Sequence, residues 1–390
     1  MHLTVPFNWQ DDLLSALPLS SVGEFYGQLD RDTVGGGRAS CTVPAVRKDK
    51  ARSLIRDIRD RGISFNYLLN ATCMGGRELS VSGQRNLRLL LNWLSSCGVD
   101  RVTVAIPYLL DFIKFNYPEF KVYVSTQAGV KDAAEAARWV ELGADGITLS
   151  VTDINRDFRK LAGIRERVKC ELRLIANLDC LYGCPFFRYH SVLNSHASQQ
   201  WHKSRGFLID YCFLRCSLKR FRSPEEFIRS GWIRPEDTGV YEDIGINSLK
   251  LVNRTMPTRR IQRIVKAYAS RSYDGNLLDL FSDPSDTLTT GDRNFIRDAS
   301  FFLRPASVNV LKLCKFRDII SRRGVFIENR SLDGFIDHFL KSDCGATDCS
   351  ACGYCRDTAA RVVVMDDVLS EQTVKRYETL LDLLLDGAIF

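Results

Sequence analysis

Short apolar segments alternate with amphipathic helical patterns along most of the chain, and this alternation limits the possible folds more than any other feature. Parallel strands joined by helices form either a closed barrel or a doubly wound open sheet. Eight candidate strands are complete by about residue 252, and no dinucleotide-binding fingerprint opens the first unit. We therefore predict an α/β fold of the (β/α)8 TIM-barrel class. The candidate strands are Gly23–Gln28, Ser64–Ala71, Arg101–Ile106, Lys121–Thr126, Gly146–Val151, Glu171–Leu178, Leu208–Phe213 and Ser248–Val252.

Beyond Val252 the pattern changes. A basic helix is predicted over Pro257–Ser270, followed by polar loops over Ser282–Asp292, a cysteine-rich segment and a closing helix over Ser370–Leu385. We assign residues 1–275 to the barrel and residues 276–390 to a C-terminal extension or small second domain. Within the barrel, the run Gly35-Gly36-Gly37 is interpreted as a flexible first βα loop.

The chain of 390 residues contains thirteen cysteines, although a chain of this length can fold without disulfides. The N-terminal stretch MHLTVPFNWQDDLL lacks the basic start and apolar run of a signal peptide. No apolar stretch is long enough to predict a membrane span. These features predict a cytoplasmic protein without membrane contact, in which clustered cysteines bind metal or take part in catalysis.

The first cysteine group consists of two C-x3-C pairs. Cys180 and Cys184 follow the sixth predicted strand, and Cys212 and Cys216 end the next one. Because all strands of a barrel end on one face, we expect the four thiols to converge there. Four thiolates suit an iron–sulfur cluster, which we expect to be [4Fe-4S]; structural zinc and unligated buried cysteines are the alternatives. Two other cysteines near predicted strand ends are alternative ligands, namely Cys41 and Cys73.

The second cysteine group lies in the polar run DCGATDCSACGYC and comprises Cys344, Cys349, Cys352 and Cys355. Closely spaced cysteines among small and polar residues resemble a ferredoxin-type ligand run. A zinc knuckle is the alternative. The sequence therefore predicts a second metal site that holds either an iron–sulfur cluster or zinc.

Three basic side chains follow the first cysteine pair: Arg188, His190 and His196. They could supply a proton or bind a carboxylate, and ordinary structural hydrogen bonding is the alternative. The motifs H-E-x-x-H, G-x-S-x-G and G-x-x-x-x-G-K-[ST] are absent, which argues against the corresponding hydrolases and nucleotide-binding proteins. The C-x3-C-x2-C loop of radical-SAM enzymes is also absent, because Phe187 occupies the position of its third cysteine.

The formal net charge is +7, and the excess is uneven. The segment Arg254–Arg271 contains several basic residues and no acidic one. Such a segment is either the solvated face of a helix or a binding surface for an anionic partner. The anionic partner would be a carboxylated or phosphorylated small molecule, or RNA.

Several motifs occur in an order that resembles the collagenase-like peptidase family U32. The cysteine pair after the sixth strand is followed by D-Y-C-F-L-R-C, similar to the family's E-C-x-x-x-C, and then by I-R-P-E-D. The stretch Ile244–Arg254 (IGINSLKLVNR) resembles the family's last barrel strand, G-I-x-x-x-K-I-E-G-R. The resemblance covers roughly residues 20–275. The chain departs from the family pattern at Val252, where the signature has Glu, and in the shorter spacing of its first cysteine pair.

The better understood members of this family resemble iron–sulfur proteins. They support oxygen-independent hydroxylation in ubiquinone biosynthesis and on RNA bases, and the resemblance implies prephenate as the oxygen donor. The resemblance implies that the first four cysteines are cluster ligands and that Lys250 and Arg254 match the strand signature. We expect both to bind an anionic small-molecule or peptide substrate, with Arg254 also taking part in catalysis. The main prediction is an iron–sulfur redox enzyme of the hydroxylase type, served by a partner protein or electron donor. The alternatives are an RNA-modifying hydroxylase, a collagenase-like peptidase and a non-catalytic, metal-stabilised subunit that binds a partner.

Overall fold

The computed structural model describes residues 1–281, 308–313, 324–345 and 347–390. Eight parallel strands pair in chain order, and the first strand also pairs with the eighth, so the sheet closes into a barrel. This confirms the predicted (β/α)8 architecture. The strands are β1 His2–Pro6, β2 Val22–Gly27, β3 Ser64–Leu69, β4 Arg101–Val104, β5 Lys121–Val124, β6 Gly146–Thr148, β7 Glu171–Ile175 and β8 Ser248–Lys250.

One predicted strand is wrong, and one real strand was missed. The segment Leu208–Phe213 does not form a strand, because a helix begins at Tyr211. Asp210 caps this helix, since its carboxylate accepts a hydrogen bond from the backbone N–H of Phe213 at 2.9 Å. The missing strand is β1, whose five residues close the barrel against β8.

The helices around the barrel bury one apolar face each. In the helix Lys48–Asp60, for example, Ala51, Ile55 and Ile58 recur at helical spacing and are buried. The helices are α1 Leu13–Ala16, α2 Lys48–Asp60, α3 Val81–Ser96, α4 Pro107–Asn116, α5 Ala133–Glu141, α6 Phe158–Arg167, α7 Phe187–His196, α8 Tyr211–Arg222, α9 Glu225–Arg229, α10 Thr238–Asp243, α11 Thr258–Ser270, α12 Val310–Leu313, α13 Asp337–Lys341, α14 Cys349–Cys352, α15 Tyr354–Val362 and α16 Asp367–Leu385.

The described part of the C-terminal extension packs against the long connection between β7 and β8. Strand β9 (Val325–Ile327) pairs antiparallel with β10 (Val363–Met365). Helix α16 packs on α8, and α15 packs on α9. Tyr377, Leu380 and Leu381 belong to the same apolar cluster as the barrel helices, so the two parts share one core. The predicted polar loops over Ser282–Asp292 lie outside the described residues.

Among the residues with a described position, no helix combines the length and the apolar character needed to cross a membrane.

A cluster of buried charged side chains fills the lower half of the barrel, the half at the amino-terminal ends of the strands. The Arg173 guanidinium forms two hydrogen bonds with the Glu24 carboxylate, at 2.5 and 3.0 Å, across the barrel from β7 to β2. Arg101 pairs with the same carboxylate at 2.9 Å, and Arg173 also contacts Glu171 at 2.7 Å. Burial raises the pKa of Glu171, but the charge of Arg173 and the hydrogen bonds from Arg173, Tyr123 and Ser248 together outweigh it and lower the pKa to about 2. Two carboxylates and two guanidiniums therefore balance within the barrel.

We expect Arg173→Met to lower the free energy of unfolding by about 3 kcal/mol, because it leaves buried charge on Glu24 with only Arg101 to compensate it. Urea denaturation measures the change. The matched control is Arg47→Met, whose ion pair with Asp49 is exposed and should contribute nothing measurable. Equal effects of the two substitutions would contradict this account of the barrel interior.

Candidate metal centre and ligand site at the barrel mouth

The chain leaving β7 is fixed beside the chain leaving β8 by one amide. Asn177 Nδ2 donates to the carbonyl oxygens of Val252 and Leu280, and Asn177 Oδ1 accepts from the Val252 N–H at 2.7 Å. Cys180 and Phe187 pack against a small apolar cluster that includes Val252. The first cysteine pair therefore lies at the carboxyl end of the barrel, next to the end of β8.

The second cysteine pair reaches the same place from a helix, whereas the sequence predicted a strand end. Cys212 and Cys216 lie one turn apart on α8, so they occupy one face of the helix. Arg220 connects the two pairs, because its Nη2 donates to the carbonyl oxygen of Asp179 at 2.7 Å and lies 3.7 Å from Cys216 Sγ. Near the other end of the pair, the Phe186 and Tyr211 rings pack edge to face at 6.1 Å.

The four thiols are free; Cys212 is buried, and the other three are partly covered. Burial, together with the charges of neighbouring groups, thiols among them, raises the pKa of Cys180 and Cys212 to about 12. Burial also raises the pKa of Cys184 and Cys216. Without a metal these groups are neutral thiols, and a bound metal would hold them as thiolates.

Four thiols are a donor set that a [4Fe-4S] cluster can use. In the described ranges, no three His, Cys, Asp or Glu side chains are arranged so that one metal ion could be held between them. A [4Fe-4S] cluster spreads its thiolates over four iron atoms, so these ligands stand further apart than those of one zinc ion. The Arg220 N–H group beside Cys216 is the kind of donor that hydrogen-bonds to cluster sulfurs.

The predicted histidines separate in the structure. His190 Nε2 lies 2.8 Å from Asp210 Oδ2, just before the second cysteine pair. His196, at the end of α7, stacks on His202 at 4.5 Å between ring centroids, and burial lowers its pKa. Arg188 is exposed. Of the three basic groups predicted here, the structure therefore places His190 closest to the cysteine group.

Lys250 and Arg254 are both buried at the barrel mouth, as their strand position predicted. The Lys250 ammonium lies 4.1 Å from the centroid of the Tyr26 ring, and burial lowers the pKa of this lysine to about 7. Arg254 donates to Gln28 Oε1 at 3.0 Å, while its Nε–H has no partner among the described residues. Burial lowers the pKa of Arg254 to about 10, an effect that the nearby charge of Arg38 increases.

The glycine run lies beside these cations, in the second βα loop and not the first, because β1 precedes it. The loop is buried and fixed: the Asp32 carboxylate accepts from the Val34 and Gly35 N–H groups at 2.9 and 2.6 Å. A Cβ atom on Gly36 would overlap the Gln28 side chain. The glycines therefore allow the backbone to approach the polar side chains of the mouth, which corrects the interpretation of a flexible loop.

Two amides complete the polar lining. Asn70 Nδ2 donates to Ser125 Oγ at 3.1 Å, whereas Asn70 Oδ1 and Gln127 Oε1 are buried with no partner in the described part of the chain. Both amides border the glycine loop, since a Cβ on Gly37 would contact both of them. Unpaired buried donors and acceptors on adjacent groups are the features of a binding site for a polar ligand.

The second cysteine group also comes together. Its four members line one solvent-open pocket of about 360 Å³ with Arg229 and His338, namely Cys344, Cys349, Cys352 and Cys355. Burial and the charges of the other three raise the pKa of Cys344 to about 11. Cys41 and Cys73 stay alternative ligands of the first group; the Cys41 N–H donates to the Gly206 carbonyl oxygen, and the Cys73 carbonyl oxygen accepts from Gln199.

The sequence interpretation missed most of the polar lining of the mouth. Gln28 and Asn70 each directly follow a barrel strand, and Gln127 follows one within three residues. Polar residues at the carboxyl ends of barrel strands are the signal that could have identified them. No comparable signal marks Arg156 or Arg220, whose positions depend on how the β7–β8 connection folds.

Comparison with known proteins gives a relative that is similar enough to assign this chain to a family. No protein-family model matches the chain. The chain is 31% identical over 330 residues, 85% of this chain and 86% of the other, to the uncharacterized protease MJ1657 of Methanocaldococcus jannaschii. Among solved structures, the U32 peptidase Mk0906 is 24% identical with a TM-score of 0.48, covering 65% of this chain and 93% of that one. The N-(5'-phosphoribosyl)anthranilate isomerase of Pyrococcus furiosus is 10% identical with a TM-score of 0.34, covering 69% and 99%.

The motif order and the extended match to the archaeal relative agree, and this chain belongs to the U32 peptidase family.

Proposed function

We propose that this protein is an iron–sulfur redox enzyme that binds a carboxylated small molecule at the barrel mouth, beside a [4Fe-4S] cluster held by Cys180, Cys184, Cys212 and Cys216. The reaction class is oxygen-independent hydroxylation or a related tailoring step, and prephenate is the first ligand to test. One observation carries the proposal: two buried cations without a carboxylate partner lie next to the converging cysteine pairs.

Lys250 and Arg254 are 7% and 4% exposed, and neither forms an ion pair within the described residues. Burying an uncompensated charge is costly, so such cations usually have an anionic partner. The charge of Asp32 acts on Arg254, but Asp32 forms no ion pair with either cation within the described residues, and its carboxylate accepts hydrogen bonds from Val34, Gly35, Gln28 and Tyr67. An anionic ligand would compensate both cations.

The mouth and the cysteine group are adjacent because Val252 lies between Lys250 and Arg254 in the chain and packs in the same cluster as Cys180. A ligand carboxylate would pair with the Arg254 guanidinium through its free Nε–H. Lys250, with a pKa of about 7, can hold or release a proton next to the ligand. The cluster would supply single electrons there.

Contacts of the basic segment favour a small molecule over RNA. Arg254 is inside the mouth, and Arg260 donates to the Leu278 and Phe281 carbonyl oxygens. Arg263 lies 3.7 Å from Asp279, and Arg271 pairs with Glu242 at 2.7 Å. Much of the charge expected to face phosphates is therefore engaged within the protein.

The family name keeps peptide hydrolysis as the second candidate. A cysteine peptidase needs an imidazole that takes the thiol proton. Here the Nε2 atom of His190 is engaged with Asp210. Iron-free protein that cleaves peptides would establish the peptidase activity and overturn the redox proposal.

We expect anaerobically purified protein to be brown, with broad absorbance at the blue end of the visible range. Cys180→Ala and Cys216→Ala should each lose most of the iron, because each removes one thiolate of a four-ligand site. Iron and sulfide quantitation measures the loss, and circular dichroism checks the fold. The matched control is Cys170→Ala, a half-buried thiol just before β7, at the opposite end of the barrel. Full iron retention in both ligand variants would contradict the cluster assignment.

We expect prephenate or a related dicarboxylate to bind with uptake of a proton above pH 7. Lys250 is largely neutral there, since its pKa is about 7, and an anion beside it favours the charged form and raises the pKa. Below about pH 6 the lysine is already charged, so the uptake should vanish. Anaerobic titration calorimetry in two buffers of different ionisation enthalpy measures the proton, and Lys250→Met should abolish its uptake.

In the same titration, Arg254→Lys keeps the charge but removes the planar fork, so binding should weaken about tenfold or more. The iron content and the fold should not change. Arg259→Lys is the matched control, because Arg259 is exposed at the start of α11. If Arg254→Lys binds the ligand with unchanged affinity, and the parent protein takes up no proton on binding, the ligand binds elsewhere.

A further inference from the structure

The second cysteine group is built around a buried cation. Arg156 is 7% exposed and stacks over the ring of Trp232 at 4.1 Å and that of Phe335 at 4.9 Å. Its two terminal nitrogens donate to the carbonyl oxygens of Ile228 and Trp232, and its Nε–H has no partner among the described residues. The Cys355 and Cys344 thiols, once ionised, would act on this guanidinium, as does the Asp237 carboxylate. An anionic centre formed by thiolates would compensate Arg156.

The cysteine segment is held in a defined conformation around the pocket. Asp348 caps α14, since its carboxylate accepts from the Ser350 N–H, and Gly353 turns the chain into α15 with a φ of +66°. The His338 ring stacks on Tyr354 at 3.9 Å, and its Nε2 lies 3.6 Å from Cys352 Sγ. The spacing C-x4-C-x2-C from Cys344 to Cys352 is that of the first three ligands in plant-type ferredoxins.

A single loop separates the two cysteine groups. The loop between β6 and α6 is bonded on one side to the first group, because the Gly183 N–H donates to the Thr152 carbonyl oxygen at 2.9 Å. On its other side, Arg159 at the start of α6 pairs with Asp343 at 3.0 Å. The same region approaches Gly345, where a Cβ would lie 2.7 Å from Lys160 Nζ.

The two groups differ in their access to solvent. Cys349 and Cys352 are exposed, whereas Cys212 is buried and the other members of the first group are partly covered. Arg229 and Arg356 line the exposed pocket, and each pairs with a neighbouring carboxylate, that of Glu226 or Asp357. An outer, solvent-open centre next to an inner one has the arrangement required to pass electrons from a carrier protein to a buried site.

We propose that Cys344, Cys349, Cys352 and Cys355 hold a second iron–sulfur centre, which accepts single electrons from a carrier protein of the flavodoxin class and passes them to the barrel centre. This inference rests on the proposed function. In each step the reduced carrier loses one electron, the outer centre gains it and then transfers it to the inner centre, and the oxidised carrier dissociates. No bond is made or broken and no proton moves.

The test compares the parent protein with a Cys349→Ser, Cys352→Ser double variant, both purified anaerobically. The variant should lose the iron of the outer centre, half of the total if the two centres are of one type, while the spectrum of the inner centre persists. With photoreduced flavodoxin, the fast phase of reduction of the inner centre should disappear. Cys170→Ser, which removes a thiol at the opposite end of the barrel, is the matched control and should change neither quantity.

Stoichiometric zinc in the parent protein, unchanged iron in the double variant, or an unchanged fast phase would overturn the proposal. A measurement on the parent protein covers the case in which the double variant does not fold: fully reduced protein should show magnetic coupling between two clusters in its electron paramagnetic resonance spectrum, and a spectrum without coupling would also overturn it. If the barrel holds no cluster, Cys180→Ala should retain all the iron of the parent protein. That result would show that the proposed function is wrong, and not only the outer centre.

Discussion

The pairing of Glu24 with Arg173 across the barrel is the interaction on which the rest of the site depends. It places charge at the centre of a closed sheet, and Arg101 and Glu171 complete a balanced set. Since the lower half of the barrel is neutral as a whole, Lys250 above it has no carboxylate left to pair with. The charge of Arg173 also contributes to the low pKa of this lysine. The charge balance of the barrel floor is therefore one reason for the proposal that the mouth binds an anion.

The connection between β7 and β8 forms most of the remaining site. In a simple barrel one helix joins two strands, but here the chain runs from Ala176 to Asn247 before it returns. This insertion brings both barrel cysteine pairs to the mouth and provides α8 and α9, the helices on which α16 and α15 of the C-terminal extension pack. Because Asn177 fixes the start of the insertion to Val252, the cysteine group and the basic mouth cannot move apart without breaking buried hydrogen bonds.

Two buried arginines have parallel positions in this arrangement. Arg220 donates to a backbone carbonyl oxygen and to Cys216, and Arg156 donates to two carbonyl oxygens near Cys355. In both cases backbone carbonyl oxygens hold the guanidinium near a group of thiols, and Arg220 also lies 3.7 Å from the Asp179 carboxylate. Family membership fits several chemistries, since a fold does not fix a reaction.

The sequence by itself determined the barrel class, because the alternation of apolar strands and amphipathic helices allows few other closed cores. It also identified both cysteine groups and the two basic residues of the last strand, whose spacing is local. It could not place Cys212 on a helix, because a short apolar run such as Leu208–Phe213 has no period that separates strand from helix, and the capping hydrogen bond of Asp210 decides the outcome. Only the tertiary structure brought Arg254 to Gln28 and left the Arg254 Nε–H without a partner among the described residues, because this contact joins residues more than two hundred positions apart and depends on closure of the barrel.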